Sequence, residues 1–215
     1  MSTISLQWVA DTGAEPLALV DVKNFLKVDA TNIADDGLIG SLIMAARQRA
    51  ETITGRSLIT SSWTYYLDSF PYNWQTNTGP ARNTINRYVD WWAENQVIRI
   101  PKAPLQAITA INYIPSGGGS YVTLDPSYYT VDVASNPGTV YPVANYYWPY
   151  TWVIHNAVQI EFTAGYAVVP KPILMAMRLM ITDWYEQRAD SATINTAAQT
   201  LLRAYKSAPV GYVDR

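Results

Sequence analysis

The chain of 215 residues contains no cysteine. Disulfides, thiolate zinc sites, iron–sulfur clusters and cysteine nucleophiles are therefore excluded, and the composition suits manufacture in a cytoplasm. Charge is scarce. Asp, Glu, Lys and Arg make up 15% of residues, against about 25% in an ordinary soluble domain. A chain this poor in charge buries much of its surface or hides it against neighbours. The formal net charge of -2 leaves no strong electrostatic footprint for nucleic acid. With 49% hydrophobic residues the composition also argues against disorder. Long apolar runs are missing too. The longest, Ile173 to Ile181, is broken by Arg178 and is far shorter than the roughly 20 residues a bilayer needs. Met1 to Asp11 lacks a basic start followed by an apolar run, so no signal peptide is expected there.

Catalytic equipment is equally thin. The single histidine, His155, cannot build a two-histidine metal site, and in a strand–loop region it reads as structural. No Gly-rich loop ends in Gly-Lys-Ser/Thr, and no Gly-x-Ser-x-Gly occurs. Ser116-Gly117-Gly118-Gly119 lacks a lysine and a following helix, so it reads as a hairpin turn rather than a phosphate cradle. Asp35-Asp36 reads as a helix cap rather than a pair of working carboxylates. Glu161 stands alone in a strand, and Asp183 and Glu186 share a helix face without metal-ligand company. No cluster is built to push pKa values apart. The reading is not an enzyme, with no cofactor and no metal.

What is plentiful is a particular kind of ring. There are 8 Trp and 16 Tyr against 3 Phe. Trp and Tyr bury a large ring and keep a polar tip, which suits surfaces that meet partners.

Along the chain, helical spacing gives way to alternation and returns. Val22, Phe25 and Leu26 mark a short amphipathic helix. After Asp35-Asp36, the residues Leu38, Ile39, Leu42, Ile43, Ala46, Ala50 and Ile53 recur at spacings of three and four, and Gly55 supplies a stop. Arg47, Gln48, Arg49 and Glu51 are expected mostly on the opposite, wet face. From Leu58, Trp63, Tyr65 and Leu67 alternate with Thr64, Tyr66 and Asp68, as in a strand. Pro71 to Asn95 is polar, aromatic and turn-rich, and reads as a long loop or irregular hairpin. Further strands are expected at 97–100, 107–114, 121–124, 128–133, 139–141 and 158–163, with turns at Asp125-Pro126 and Asn136-Pro137-Gly138. That spacing suits a small antiparallel sandwich or barrel-like sheet. Past Pro172 a helix runs through Arg188, apolar almost all round, and so expected to be buried on every side, against both its own domain and another subunit. A last amphipathic piece spans Ile194 to Tyr205.

The fold class is thus α+β. Residues 1–57 and 166–190 are expected to form one helical domain. A β-rich insertion occupies 58–165, and 191–215 is a partner-binding tail. Three groups invite contact. Tyr141 to Trp152 is the densest aromatic run; its rings, Trp148 among them, either complete the sheet core or form a stacking platform for sugar or protein. Tyr88-Val89-Asp90-Trp91-Trp92 lies in the long loop and suits packing or intersubunit contact. Arg47, Arg49, Arg56, Arg178 and Arg188 read as solvated charges or salt bridges; the alternative, a basic cluster against DNA, is weakened by the interspersed Asp and Glu.

The order of landmarks resembles the tailed-phage head-tail connector (adaptor) family, in its longer branch with a β-rich insertion. The matching residues are Pro16 to Leu19, Asp21 to Leu26, Asp35 to Ile39, Ala45 to Glu51, and Thr54-Gly55-Arg56-Ser57-Leu58. Ile100 to Leu105, Tyr128 to Asp132, Ile160 to Tyr166 and Pro172 through Arg188 continue the series. The likeness spans about residues 16 to 190; the segment from Pro71 to Asn95 departs from it. It implies a structural virion protein of the neck: a dodecameric ring of this chain beneath the portal protein, extending the DNA channel and docking the stopper or tail. Genomic DNA would pass without sequence-specific binding, and no membrane is involved. By the same analogy Ser191 to Arg215 contacts the portal, and its deletion is expected to spare the folded core. Candidate contact residues are Tyr185, Arg188, Ile194, Leu201, Leu202 and Tyr205, with Trp91, Trp92 and Trp148. The alternative is a carbohydrate- or receptor-binding β module of a virion.

Overall fold

A computed structural model describes residues 5–71, 96–187 and 196–207. Trp91, Trp92, Arg188, Ile194 and nearly all of the long aromatic loop lie outside them. The structure is mixed α+β and divides into two compact units. One comprises Asp11–Ser61 and Gly165–Pro209; the other is built on Met1–Ala10 and Ser62–Ala164.

The first unit is helical. Helix α1 is Leu19–Leu26, α2 is Asp36–Thr54, α3 is Lys171–Gln187 and α4 is Thr196–Arg203. Alternating threes and fours on α2 put Ile39, Ile43, Ala46 and Ala50 on one buried stripe. Against it pack Ile173, Ala176, Met177, Met180 and Ile181 of α3, with Val22 of α1 and Ala198 and Leu202 of α4. Each of the larger side chains contributes about 1.5–3 kcal/mol on full burial. Gly55 ends α2 in the left-handed region at φ 69°, and its N–H bonds the Glu51 carbonyl at 2.9 Å.

Two expectations change here. Asp35 occupies the N-cap position of α2, but its side chain caps nothing. A side chain 150 positions away takes it instead: Tyr185 Oη donates to Asp35 Oδ2 at 2.9 Å. Asp36 is taken by Lys23, whose buried ammonium also donates to the carbonyls of Ala30 at 3.2 Å and Asn32 at 2.7 Å. All three of its hydrogens are thereby used. Second, Arg47 is buried, not wet. It meets Asp11 at 3.2 Å, Glu15 at 3.1 Å and Glu51 at 3.2 Å. Helix α3 buries one face against its own unit. Leu174, Leu179, Trp184 and Tyr185 are half-buried and Met175 is exposed. A single chain supplies neighbours for only part of its apolar circumference.

Among the described residues the second unit carries eight strands in two sheets. They are β1 Ser5–Asp11, β2 Ser61–Leu67, β3 Ile98–Arg99, β4 Leu105–Tyr113, β5 Val122–Thr123, β6 Tyr129–Asp132, β7 Thr139–Pro142 and β8 Val158–Ala164. The larger sheet runs β1-β2-β8-β4-β5 and the smaller β3-β7-β6. Strands β4 and β8 pair antiparallel from Leu105↔Ala164 to Tyr113↔Val158, with irregularities beside Leu105 and Ile108. On β8 the alternation is clean: Val158, Ile160, Phe162 and Ala164 point inward. Ile98 and Val140 of the smaller sheet join the same core. The Ser116–Gly119 turn links β4 to antiparallel β5, with Gly118 and Gly119 at positive φ.

Candidate assembly surfaces

The functional candidates are surfaces rather than a cleft. Among the described residues, no group of three or more His, Asp or Glu could hold a metal ion. No described helix is long and apolar enough to cross a membrane.

The C-terminal segment is tied to its own helical core. Ala198 and Leu202 of α4 are fully buried, and Leu201 and Tyr205 are half-buried against the same core. Two backbone ties reinforce it. Arg56 Nε donates to the Tyr205 carbonyl at 2.5 Å, and Ser207 N–H donates to the Thr54 carbonyl at 2.7 Å. Arg56 also donates to Tyr166 Oη at 3.0 Å, so this arginine is a brace rather than a solvated charge. The expectation that 191–215 can be removed without touching the core is therefore corrected, because Leu202 is part of that core. The accessible side of α4 carries Gln199, Thr200 and Arg203.

The aromatic run between β7 and β8 divides into two parts. Trp148 belongs to the sheet core. It stacks on Phe70 with ring centroids 4.8 Å apart, and its indole N–H donates to the Gln96 carbonyl at 2.7 Å. Both demands of a buried Trp are thus met. Tyr146 stacks on Tyr128 at 4.2 Å. The remainder faces outward: Tyr147, Tyr150, Trp152, Val153 and Ile154 are exposed, Val153 to 99%.

That outward tip is nevertheless anchored. Trp152 N–H donates to the Ile114 carbonyl at 2.9 Å, and Tyr121 Oη donates to the Asn156 carbonyl at 2.5 Å. Asn156 N–H donates to Asp68 Oδ1 at 3.0 Å. His155 Nδ1 lies 3.3 Å from the same oxygen, with its ring almost wholly exposed. The Asn156 N–H holds the Asp68 carboxyl below the ordinary aspartate range; slight burial opposes this and the His155 hydrogen bond adds to it. His155 is thus a loop anchor.

The sequence and fold comparisons bear on these surfaces. Residues 17–113 match the family model of the phage gp6-like head-tail connector protein. Over that stretch the chain is similar to that family. The match runs from the approach to α1 through the end of β4, and so takes in parts of both units. No curated protein sequence matches the chain. Solved structures match nearly its whole length. One is a chain of the neck of an empty GTA particle computed with C6 symmetry, at TM-score 0.70 and 18% identity, covering 97% of this chain and 98% of that one. Another comes from the virion of a native gene transfer agent particle, at TM-score 0.69 and 18% identity, covering 96% and 97%. A third is from the neck of a native GTA particle computed with C12 symmetry, at TM-score 0.64 and 17% identity, covering 97% and 98%. At such identities the likeness is one of fold. It includes the sheet strands beyond residue 113 and helices α3 and α4, which the family match does not reach.

Proposed function

We propose that the chain is a structural component of a virion neck, an adaptor that closes into a ring beneath the portal protein. The observation that carries this reading is the end-to-end fold match to neck chains, joined to the connector-family match over 17–113. The ring extends the DNA channel and docks the stopper or tail. A copy number of twelve fits the C12 symmetry of one matching neck. A ring is a closed heterologous assembly in which each copy uses two different faces. The low charge and the half-covered apolar surface of α3 suit such a permanent contact. A chain with net charge -2 offers passing DNA little phosphate attraction.

Portal contact is assigned to the C-terminal segment through the accessible side of α4, with Leu202 holding that helix in place. Arg203→Glu with Gln199→Glu should weaken portal binding and leave the circular dichroism spectrum unchanged.

Negative-stain imaging of the chain mixed with its portal tests the whole reading. A ring stacked under the portal is the expected image. Subunits that never associate with portal, or a mature particle whose neck holds no copy of this chain, would overturn it.

A further inference from the structure

Arg178 on α3 stands apart from the other internal arginines. Arg47 has three carboxylates and Arg56 has two oxygens. The Arg178 guanidinium instead lies over the Phe25 ring of α1, 5.9 Å from its centroid. Its Nε is buried with no hydrogen-bond partner among the described residues. No described carboxylate forms an ion pair with it. The side chain is only partly buried, and its terminal nitrogens are not among the buried unsatisfied groups, so the outer edge of the fork is accessible.

A guanidinium carries five N–H donors in one plane. Stacking on Phe25 fixes that plane but supplies no acceptor. Part of the charge is thereby taken out of water with nothing opposite it, an arrangement that costs stability until a partner arrives. The rim is apolar. Met175 lies one turn before Arg178 on the same helix face, and Met175 and Phe25 are each 39% exposed. An arginine with an aromatic platform and an apolar border is the composition of an interface hot spot.

We infer that this Arg178–Phe25–Met175 patch receives a carboxylate from a neighbouring copy of the same chain. The inference rests on the ring reading above and names one of its contacts. The chain itself carries the complementary group: acids outnumber bases 17 to 15, and Asp29, Asp125 and Glu186 are exposed. In a heterologous ring the donor face and the acceptor face are on one chain, so each copy can satisfy the next.

The absence of cysteine makes the test direct. Lys171 is exposed, two turns from Arg178 on the same face and outside the patch. Lys171→Cys is then the only thiol, to be labelled with a benzophenone maleimide and irradiated in assembled particles. Adducts at multiples of the 24.0 kDa subunit mass are expected. Arg178→Ala should weaken ring formation roughly thirtyfold or more, the loss typical when one partner of a buried interfacial charge pair is truncated. Arg178→Lys should recover part of it. The isolated Arg178→Ala subunit should melt close to wild type, because only the stacking on Phe25 is lost within the chain. Adducts with portal or tail components alone, no adduct in assembled particles, or wild-type assembly of Arg178→Ala would each overturn the inference while leaving the ring standing. A wild-type chain that never enters the neck would instead remove the ring reading, and this contact with it.

Discussion

Replacing Arg47 with methionine should destabilise the helical unit more than any other single surface-to-core charge change among the described residues. The side chain is 7% exposed, and it faces Asp11, Glu15 and Glu51, whose side chains are 18–32% exposed. Methionine fills similar space and removes the counter-charge. Three carboxylates then share one partly dry site. Breaking a buried ion pair by removing one partner costs about 3–5 kcal/mol. The carboxylates still reach water, so screening favours the lower end, about 3 kcal/mol. For a chain of this size that corresponds to a melting temperature lower by about 6–12 °C. The loss extends beyond Arg47 itself. Asp11 Oδ1 also accepts from Ser61 Oγ at 2.8 Å, and Glu51 Oε1 accepts from Leu58 N–H at 2.8 Å. The clamp therefore also holds Ser61 and Leu58 in place within the helical unit. Urea denaturation followed by circular dichroism at 222 nm on a wavelength scale (a helix signal) is the assay. Arg47→Lys restores one charge but not the three-way fork, and should recover only part of the loss. A methionine variant within about 1 kcal/mol of wild type would refute the reasoning, since buried pairs replaced by apolar groups can be neutral when both partners go.

Leu202→Ala should cost about 2–5 kcal/mol in thermal unfolding, because it empties a fully buried site between α4 and the helical core. A portal-binding defect in any tail deletion that includes Leu202 must therefore be read beside its melting temperature. Gly165→Ala should fail to give soluble protein: φ is 146°, and a β-carbon there would overlap the Ile59 carbonyl. Soluble yield and circular dichroism check this. The Asn156 amide shift should titrate with Asp68. The folded carboxyl is held below the ordinary aspartate value, so the anchor is intact above that value and is lost as pH falls through the lower, folded one. In Asp68→Asn the transition should vanish from the NMR titration. Peroxide should oxidise the exposed Met44 and Met175 in the free chain and spare the buried Met177 and Met180. In assembled particles Met175 should become resistant, and unchanged oxidation there would count against α3 as a subunit contact.

Local spacing made some of this molecule legible and distance hid the rest. Helix α2 was readable because its apolar residues recur at threes and fours and Gly55 closes it. Strand β8 was readable because inward and outward residues alternate along its whole length. Strand β1 was not, since Gln7, Trp8 and Val9 are exposed in succession on the edge of the sheet, and an edge strand shows no inward–outward rhythm. The Asp35 side chain looked like a cap because capping is the local option; Tyr185 outcompetes it from the far end of the chain. Arg47 looked wet because its partners Asp11 and Glu15 are 36 and 32 positions away. No periodicity reports a partner brought in by tertiary structure. The aromatic run was half legible. Its composition marked it, but only the structure separates Trp148, stacked in the core, from Tyr150 and Trp152 on the outside.

Helix α3 is the place where pattern and single-chain structure disagree most usefully. Exposed apolar residues are common on any protein, and scattered ones need no explanation. Those on α3 are not scattered. Leu174, Met175, Leu179, Trp184 and Tyr185 flank the buried stripe on one helix, and Arg178 lies among them with its charge unanswered. A surface helix of an ordinary monomer would place several charges on that wet side. This one keeps Lys171, Asp183 and Glu186 toward its two ends and has Arg178 as the one charge in its middle. Leu174, Leu179, Trp184 and Tyr185 already pack in part against the helical core, so what a single chain leaves uncovered is their outer edges and Met175. Those outer edges are what the ring proposed above would cover, and the Met175 oxidation test reads whether they are covered.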